Sequence, residues 1–203
     1  MKVTLSAQEL ISCDKTYFEQ KGCGGGVSLY GFYYAAANGL VTSQCCPYES
    51  IAGVSPKCGL TERKCPADTQ DDIFPYAKFY ALKESSIYKQ AIFAKNPDSA
   101  DFDAIKAQIY HYGPVTATFT AYVDFWGYRG DVYKHKSNDV LATHCVEVIG
   151  WGKEEQTGVQ YWVAVNSWGE GWGNKGHFKI QMGECEFEQF VTWAMPKLQY
   201  VQE

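Results

Sequence analysis

Apolar and polar positions change their spacing partway along the chain, and that change predicts the order of the elements. Leu5-Ser6-Ala7-Gln8-Glu9-Leu10 opens a short helix running to about Cys13, and Ser6 and Glu9 have the spacing of a capping box. Val27 to Ala37 carries Leu29, Tyr30, Phe32, Tyr33 and Tyr34 and reads as a buried aromatic helix that Asn38-Gly39 stops. Asp101 to Tyr112 places Phe102, Ile105, Ile109 and Tyr110 at helical spacing, and Gly113-Pro114 ends it. After Pro114 the period becomes two: Val115-Thr116-Ala117-Thr118-Phe119 alternates like a half-buried strand. Cys145–Ile149, Gln160–Val165 and His177–Gln181 are further strand candidates between Gly-rich turns. Helices come first and strands later, which predicts an α+β fold with two lobes, residues 1–110 helical and 111–203 β-rich.

Composition adds limits to this outline. The 203 residues are 46% hydrophobic and 20% charged, enough to bury a sizeable core in one unit or two small lobes. The net charge of −5 argues against nucleic acid or an anionic membrane as partner. No apolar run is long enough for a membrane span. Eight cysteines stand at 13, 23, 45, 46, 58, 65, 145 and 185, six of them before residue 66 in a Gly-rich stretch. Such clustering reads as a disulfide framework from an oxidising compartment. Zinc is the competitor, but Cys58 and Cys65 are too far apart for a CxxC knuckle and no His lies near the cluster, so neither metal nor cofactor is expected. The opening Met-Lys-Val-Thr-Leu-Ser lacks the apolar core of a secretory leader, so a chain of this kind is expected to have lost its front end.

Candidate chemistry gathers in three segments. His144 precedes the strand candidate that runs on into Gly150-Trp151-Gly152. Asn166-Ser167-Trp168-Gly169 follows the strand Tyr161–Val165, with Gly171-Trp172-Gly173 just beyond. Gly22-Cys23-Gly24-Gly25-Gly26 supplies backbone that a ligand can approach closely. Each alone has a plainer explanation: a structural His, a turn-forming Asn, aromatics packed on tight turns. Taken in order and spacing with Leu5–Leu10, Cys13 and Cys45-Cys46-Pro47-Tyr48, they resemble the papain family of cysteine peptidases, over nearly the whole chain. Gly113-Pro114-Val115, Asp124-Phe125 and Gly183-Glu184-Cys185-Glu186 are most similar to the cathepsin B and cathepsin C branches.

The resemblance implies a papain-like two-lobe fold without its first helix, and peptide-bond hydrolysis by Cys/His/Asn chemistry. A thiol attacks as thiolate beside an imidazolium, the imidazole returns the proton to the leaving amine, and the Asn carbonyl fixes the ring. It assigns catalysis to His144 and Asn166, shielding to Trp168, and substrate binding to Gly25, Gly26, Val27, Ala117, Thr143 and Phe190. It pairs Cys13 with Cys58 and Cys45 with Cys65. Apart from the resemblance, strand alternation turns Cys145 the opposite way from His144, and it reads as a small buried hydrophobe. It implies a peptide or protein substrate, an inhibitory propeptide or a separate N-terminal chain as further partner, and a lysosomal, vacuolar or extracellular setting.

One departure qualifies this. The family's Cys-Gly-Ser/Ala-Cys-Trp/Tyr string, with its oxyanion Gln, occurs nowhere here, so the nucleophile is expected to be absent from this chain. Cys13 stands 131 residues before His144, within the family's separation of roughly 130–150. Its Glu-Leu-Ile-Ser-Cys context, however, is similar to that of a half-cystine. The rival readings are a peptide-binding or structural relative that has lost catalysis, and an unrelated disulfide-rich interaction domain.

Overall fold

The computed structural model describes residues 3–15, 17–51, 53–60, 64–68, 76–82, 87–90 and 100–197. The expected loop-rich region 41–76 falls partly outside these residues. The described chain forms two compact units, Met1–Ile87 with Ala194–Glu203, and Tyr88–Trp193.

The first unit is built on two helices. Helix α1, Ala7–Cys13, starts where the Ser6 side chain accepts from the Glu9 N–H at 3.0 Å. The predicted capping box is only half made, because the Glu9 side chain turns inward instead. Its carboxylate accepts from the Val41 N–H at 2.7 Å and the Tyr34 hydroxyl at 3.2 Å, and it pairs with Lys78. The Ser6 N–H donates to the Val41 carbonyl at 2.9 Å, so the donor that Glu9 would have satisfied is already paired. Gln8 and Ser12 are buried on the same helix, and Gln8 accepts from the Glu49 and Ser50 N–H groups. The inner face of α1 is therefore polar and fully bonded. Helix α2, Ser28–Asn38, buries Leu29, Tyr34 and Ala35, and Gly39 caps it at φ 67°.

Two disulfides close this unit, Cys13–Cys58 and Cys45–Cys65. They span sequence separations of 45 and 20 residues, so each should stabilise the fold by roughly 2–4 kcal/mol. Non-reducing peptide mapping should recover both links, and Cys45→Ala/Cys65→Ala should lower the denaturant midpoint accordingly. A Cys13–Cys23 link would contradict the arrangement. Cys23 is exposed and Cys46 buried, both outside these bonds.

The second unit is a sheet with one helix against it. Its strands are β1 (Ile87–Gln90), β2 (Val115–Tyr122), β3 (Val132–Tyr133), β4 (Val140–Lys153), β5 (Gln160–Val165), β6 (His177–Gln181) and β7 (Phe190–Ala194). They are ordered β1-β7-β2-β4-β5-β6-β3. Antiparallel ladders join β2 to β4 and β7, and β5 to β4 and β6, while β3 and β6 run parallel. Strand β4 is much longer than its sequence candidate because it serves two partners, β2 along residues 140–148 and β5 along 147–153. Helix α3, Ala100–Tyr112, buries Phe102 and Ile105 in the sheet's core. It therefore belongs with the strands, and the boundary expected at residue 110 lies instead at 87/88, with the chain returning to the first unit at Ala194.

Alternation along the strands corrects two expectations. In β2 the odd-numbered residues point into the core, so Ala117 is fully buried and its half-buried neighbour Thr118 faces the other way, opposite Phe190. In β4 the even positions Val146 and Val148 are buried, which turns Cys145 outward. Cys145 is exposed and does not serve as a core residue.

Candidate active site

Ladder register sets the distance between His144 and Asn166. His144 stands opposite Phe119 on β2, on the stretch of β4 that β5 has not yet joined. The β4–β5 ladder ends at Glu147 opposite Val165, so Asn166 leaves β5 beside the free flank of β4. Its N–H donates to the Gly176 carbonyl at 2.8 Å, which holds the turn after β5 against the loop before β6.

His144 Nε2 lies 2.9 Å from Asn166 Oδ1. The Ser167 N–H also donates to Oδ1, at 2.8 Å, which fixes that atom as the acceptor. Nε2 is accordingly the protonated ring nitrogen, and Nδ1 remains to take up and return a proton. Asn166 is buried, and its Nδ2 is a buried polar atom without a hydrogen-bond partner among the described residues.

Aromatic rings enclose this bond. Trp168 stacks with His144 at 5.2 Å between centroids and with Trp126 at 4.4 Å. Its edges meet Phe125 and Trp172, and Phe119 meets the imidazole edge-on at 5.8 Å. The bond is part-buried among these rings, and such a bond is electrostatically stronger than a fully exposed one. Trp126 and Phe119 were not among the sequence candidates. Trp126 directly follows the Asp124-Phe125 pair that was singled out, and the Trp172 indole N–H donates to its carbonyl at 3.2 Å.

The other sequence candidates divide by unit. Thr143 is exposed on β4, next to His144, and Phe190 is half-buried at the start of β7. Gly25, Gly26 and Val27 lie in the first unit, after the 3-10 turn Gly22–Gly24. Gly25 adopts φ 98°, its N–H donates to the Gly22 carbonyl at 3.1 Å and its carbonyl accepts from the Lys21 N–H at 2.9 Å. Gly25 thus has no donor left for a ligand. A Cβ on Gly26 would sit 2.2 Å from Gln20 Oε1, the atom that accepts from the Val27 N–H at 2.8 Å, so a side chain there would displace the Gln20 amide from that bond.

Cys23 and Cys145 are exposed, while the other cysteines are disulfide-bonded or buried. Cys13 is bonded to Cys58. Cys185 is buried in a ring of carboxylates, and desolvation followed by the Glu184 charge pushes its thiol up to about 12. Burial likewise raises Cys46.

The profile of the papain family cysteine proteases matches residues 1–195, and the chain belongs to that family. It is 35% identical over 208 residues to the Cathepsin B-like protease 1 of Arabidopsis thaliana, covering 97% of this chain and 50% of that protein. It is 33% identical to the Cathepsin B-like cysteine proteinase 3 of Caenorhabditis elegans, covering 96% of this chain and 52% of that one. Among solved structures it is similar to procathepsin B S9 of Trypanosoma congolense, with a TM-score of 0.78 and 28% identity, covering 97% of this chain and 62% of that chain. The chain spans about half the length of the curated relatives it matches.

Proposed function

We propose that this chain carries the proton-transfer half of a Cys/His/Asn peptidase site, with His144 as acid–base and Asn166 as its orienting residue. The observation that supports it is the His144 Nε2–Asn166 Oδ1 bond of 2.9 Å beneath Trp168, which leaves Nδ1 as the working nitrogen. A thiol set beside Nδ1 would be held as thiolate against the imidazolium and attack the peptide carbonyl. The proton on Nδ1 would then pass to the leaving amine, and water would release the acyl group with the same imidazole as base. Gly26 offers backbone to an extended substrate strand. Thr143 and Phe190 are substrate contacts on the sheet, with Thr118 in place of Ala117, and Val27 is a further contact on the first unit. A lysosomal, vacuolar or extracellular setting and inhibition by a propeptide accord with this reading, since the neighbour from Trypanosoma congolense is a procathepsin.

The test compares the chain as it stands with the same chain extended at Met1 by a papain-family Gln-x-Cys-Gly-Ser-Cys-Trp helix. The 203-residue chain should neither hydrolyse a dipeptide amide nor be labelled by a thiol-directed epoxide, whereas the extended chain should do both. Labelling of Cys13 or Cys23 in the shorter chain that is lost with His144→Ala would overturn the assignment of the nucleophile. A folded extended chain that binds peptides without cleaving them would identify a non-catalytic relative.

A further inference from the structure

A second group of reactive side chains lies in the sheet unit and is independent of the peptidase reading. His135 follows β3, while Glu184 and Cys185 lie on the turn between β6 and β7. Their ligating atoms, His135 Nδ1, a Glu184 carboxylate oxygen and Cys185 Sγ, all lie within 4.8 Å of one another. His135 Nδ1 is 2.7 Å from Glu184 Oε2 and 3.9 Å from Cys185 Sγ. A tetrahedral zinc site with bonds of about 2.0–2.3 Å sets its ligand atoms about 3.3–3.7 Å apart. The present separations differ from that spacing by about 1.5 Å at most.

The surroundings hold the three groups in place. Tyr122 stacks on the His135 ring at 4.4 Å and 14°. The residues flanking His135 are tied to Asp124, whose carboxylate accepts from the Tyr133 hydroxyl at 3.0 Å and the Lys136 N–H at 2.9 Å. On the other side, Cys185 and Glu186 both adopt left-handed backbone, φ 55° and 60°, which side-chain-bearing residues rarely do. The Thr120 N–H donates to the Cys185 carbonyl at 3.0 Å and the Thr120 hydroxyl to Glu186 at 2.9 Å, pinning that turn to β2. Cys185 is buried, while the His135 side chain is 31% exposed, so an ion could enter from the His135 side. Lys134 pairs with Glu184 through Oε1 at 3.6 Å, which leaves Oε2 for the ion.

We propose that His135, Glu184 and Cys185 form a zinc-binding site with one position open to water. A thiolate, an imidazole and a carboxylate in tetrahedral array is a donor set suited to zinc. Binding exchanges the His135–Glu184 hydrogen bond for two metal bonds, moves the imidazole proton to Nε2, and releases the thiol proton of Cys185 to solvent. The ion would brace the turn that leads into β7 and Phe190 against the segment that leads into β4 and His144.

The test titrates the full chain with Co2+ and then Zn2+, in a Cys23→Ser/Cys145→Ser background that removes the exposed thiols. One equivalent of Co2+ should give a sulfur-to-cobalt charge-transfer band that Zn2+ abolishes. Cys185→Ser should remove the band. His135→Ala, at a partly exposed position, should weaken Zn2+ binding by more than the roughly 10–100-fold that a change in an outer-shell partner costs. His144→Ala should leave both readouts unchanged. Absence of a saturable band, a band that survives Cys185→Ser, or zinc affinity that depends on His144 and not on His135 would each overturn the site. Should Cys185→Ser unfold, the His135→Ala affinity decides alone.

Discussion

His144→Ala in the nucleophile-extended chain should lower kcat/KM on a short peptide amide by about 10^4-fold, the upper part of what a positioned acid–base contributes. The geometry gives the reason. With Nε2 donating to Asn166 Oδ1 at 2.9 Å, Nδ1 is the only ring atom able to carry the proton between thiol and leaving group. Asn166→Ala removes the acceptor but not the proton carrier, so its loss should lie nearer the roughly 100-fold end of the same range. Part of that loss would come from the ring sampling the unproductive tautomer. Equal turnover in His144→Ala and the parent would show that the imidazole does something other than move protons.

Glu9→Ala should cost about 3–5 kcal/mol of folding free energy in the 203-residue chain, read from urea melts. The carboxylate is fully buried, and its removal leaves the Val41 N–H and the Tyr34 hydroxyl without their acceptor and Lys78 without its counter-charge. Lys78→Met should cost less, because Glu9 keeps two donors. Glu9→Gln should fall between, since the amide oxygen still accepts from Val41. A Glu9→Ala loss below about 1 kcal/mol, the net worth of one ordinary hydrogen bond, would show that this network is not holding α1.

How far the sequence foretold the molecule depends on whether apolar spacing carried the signal. Helices α2 and α3 and strands β5 and β6 were legible, because each shows its buried stripe or alternation directly. The register of α1 was legible only from Ser6. Its buried face is Gln8, Glu9 and Ser12, which a hydrophobic period cannot reveal and which is stable only because partners forty residues away complete it. Strands β1, β3 and β7 were missed. Val132–Tyr133 is too short to show a period, and Phe190–Ala194 follows a turn of left-handed residues that reads as loop. At the candidate site, the residue order of a known family singled out His144, Asn166 and Trp168. Which side of β2 faces outward could be read only from the ladder, and so the full burial of Ala117 was not legible. The His135–Glu184–Cys185 group escaped because its members are separated by some fifty residues and meet only once β3 is laid beside β6.

The hairpin from β4 to β5 has a use beyond positioning. Glu154 and Val159 close it with a 2.9 Å backbone bond, and its tip, residues 155–158, is exposed. Between the tip and the His144–Asn166 pair lies the ladder from Lys153–Gln160 to Glu147–Val165, interrupted by one shift near Gly150. Length added at the tip cannot pass through that ladder, whereas one residue added within 160–165 would rotate Asn166 to the opposite face. The tip is therefore a docking port for engineering: a reporter peptide or an affinity handle inserted there should ride on the sheet without altering the His144–Asn166 distance.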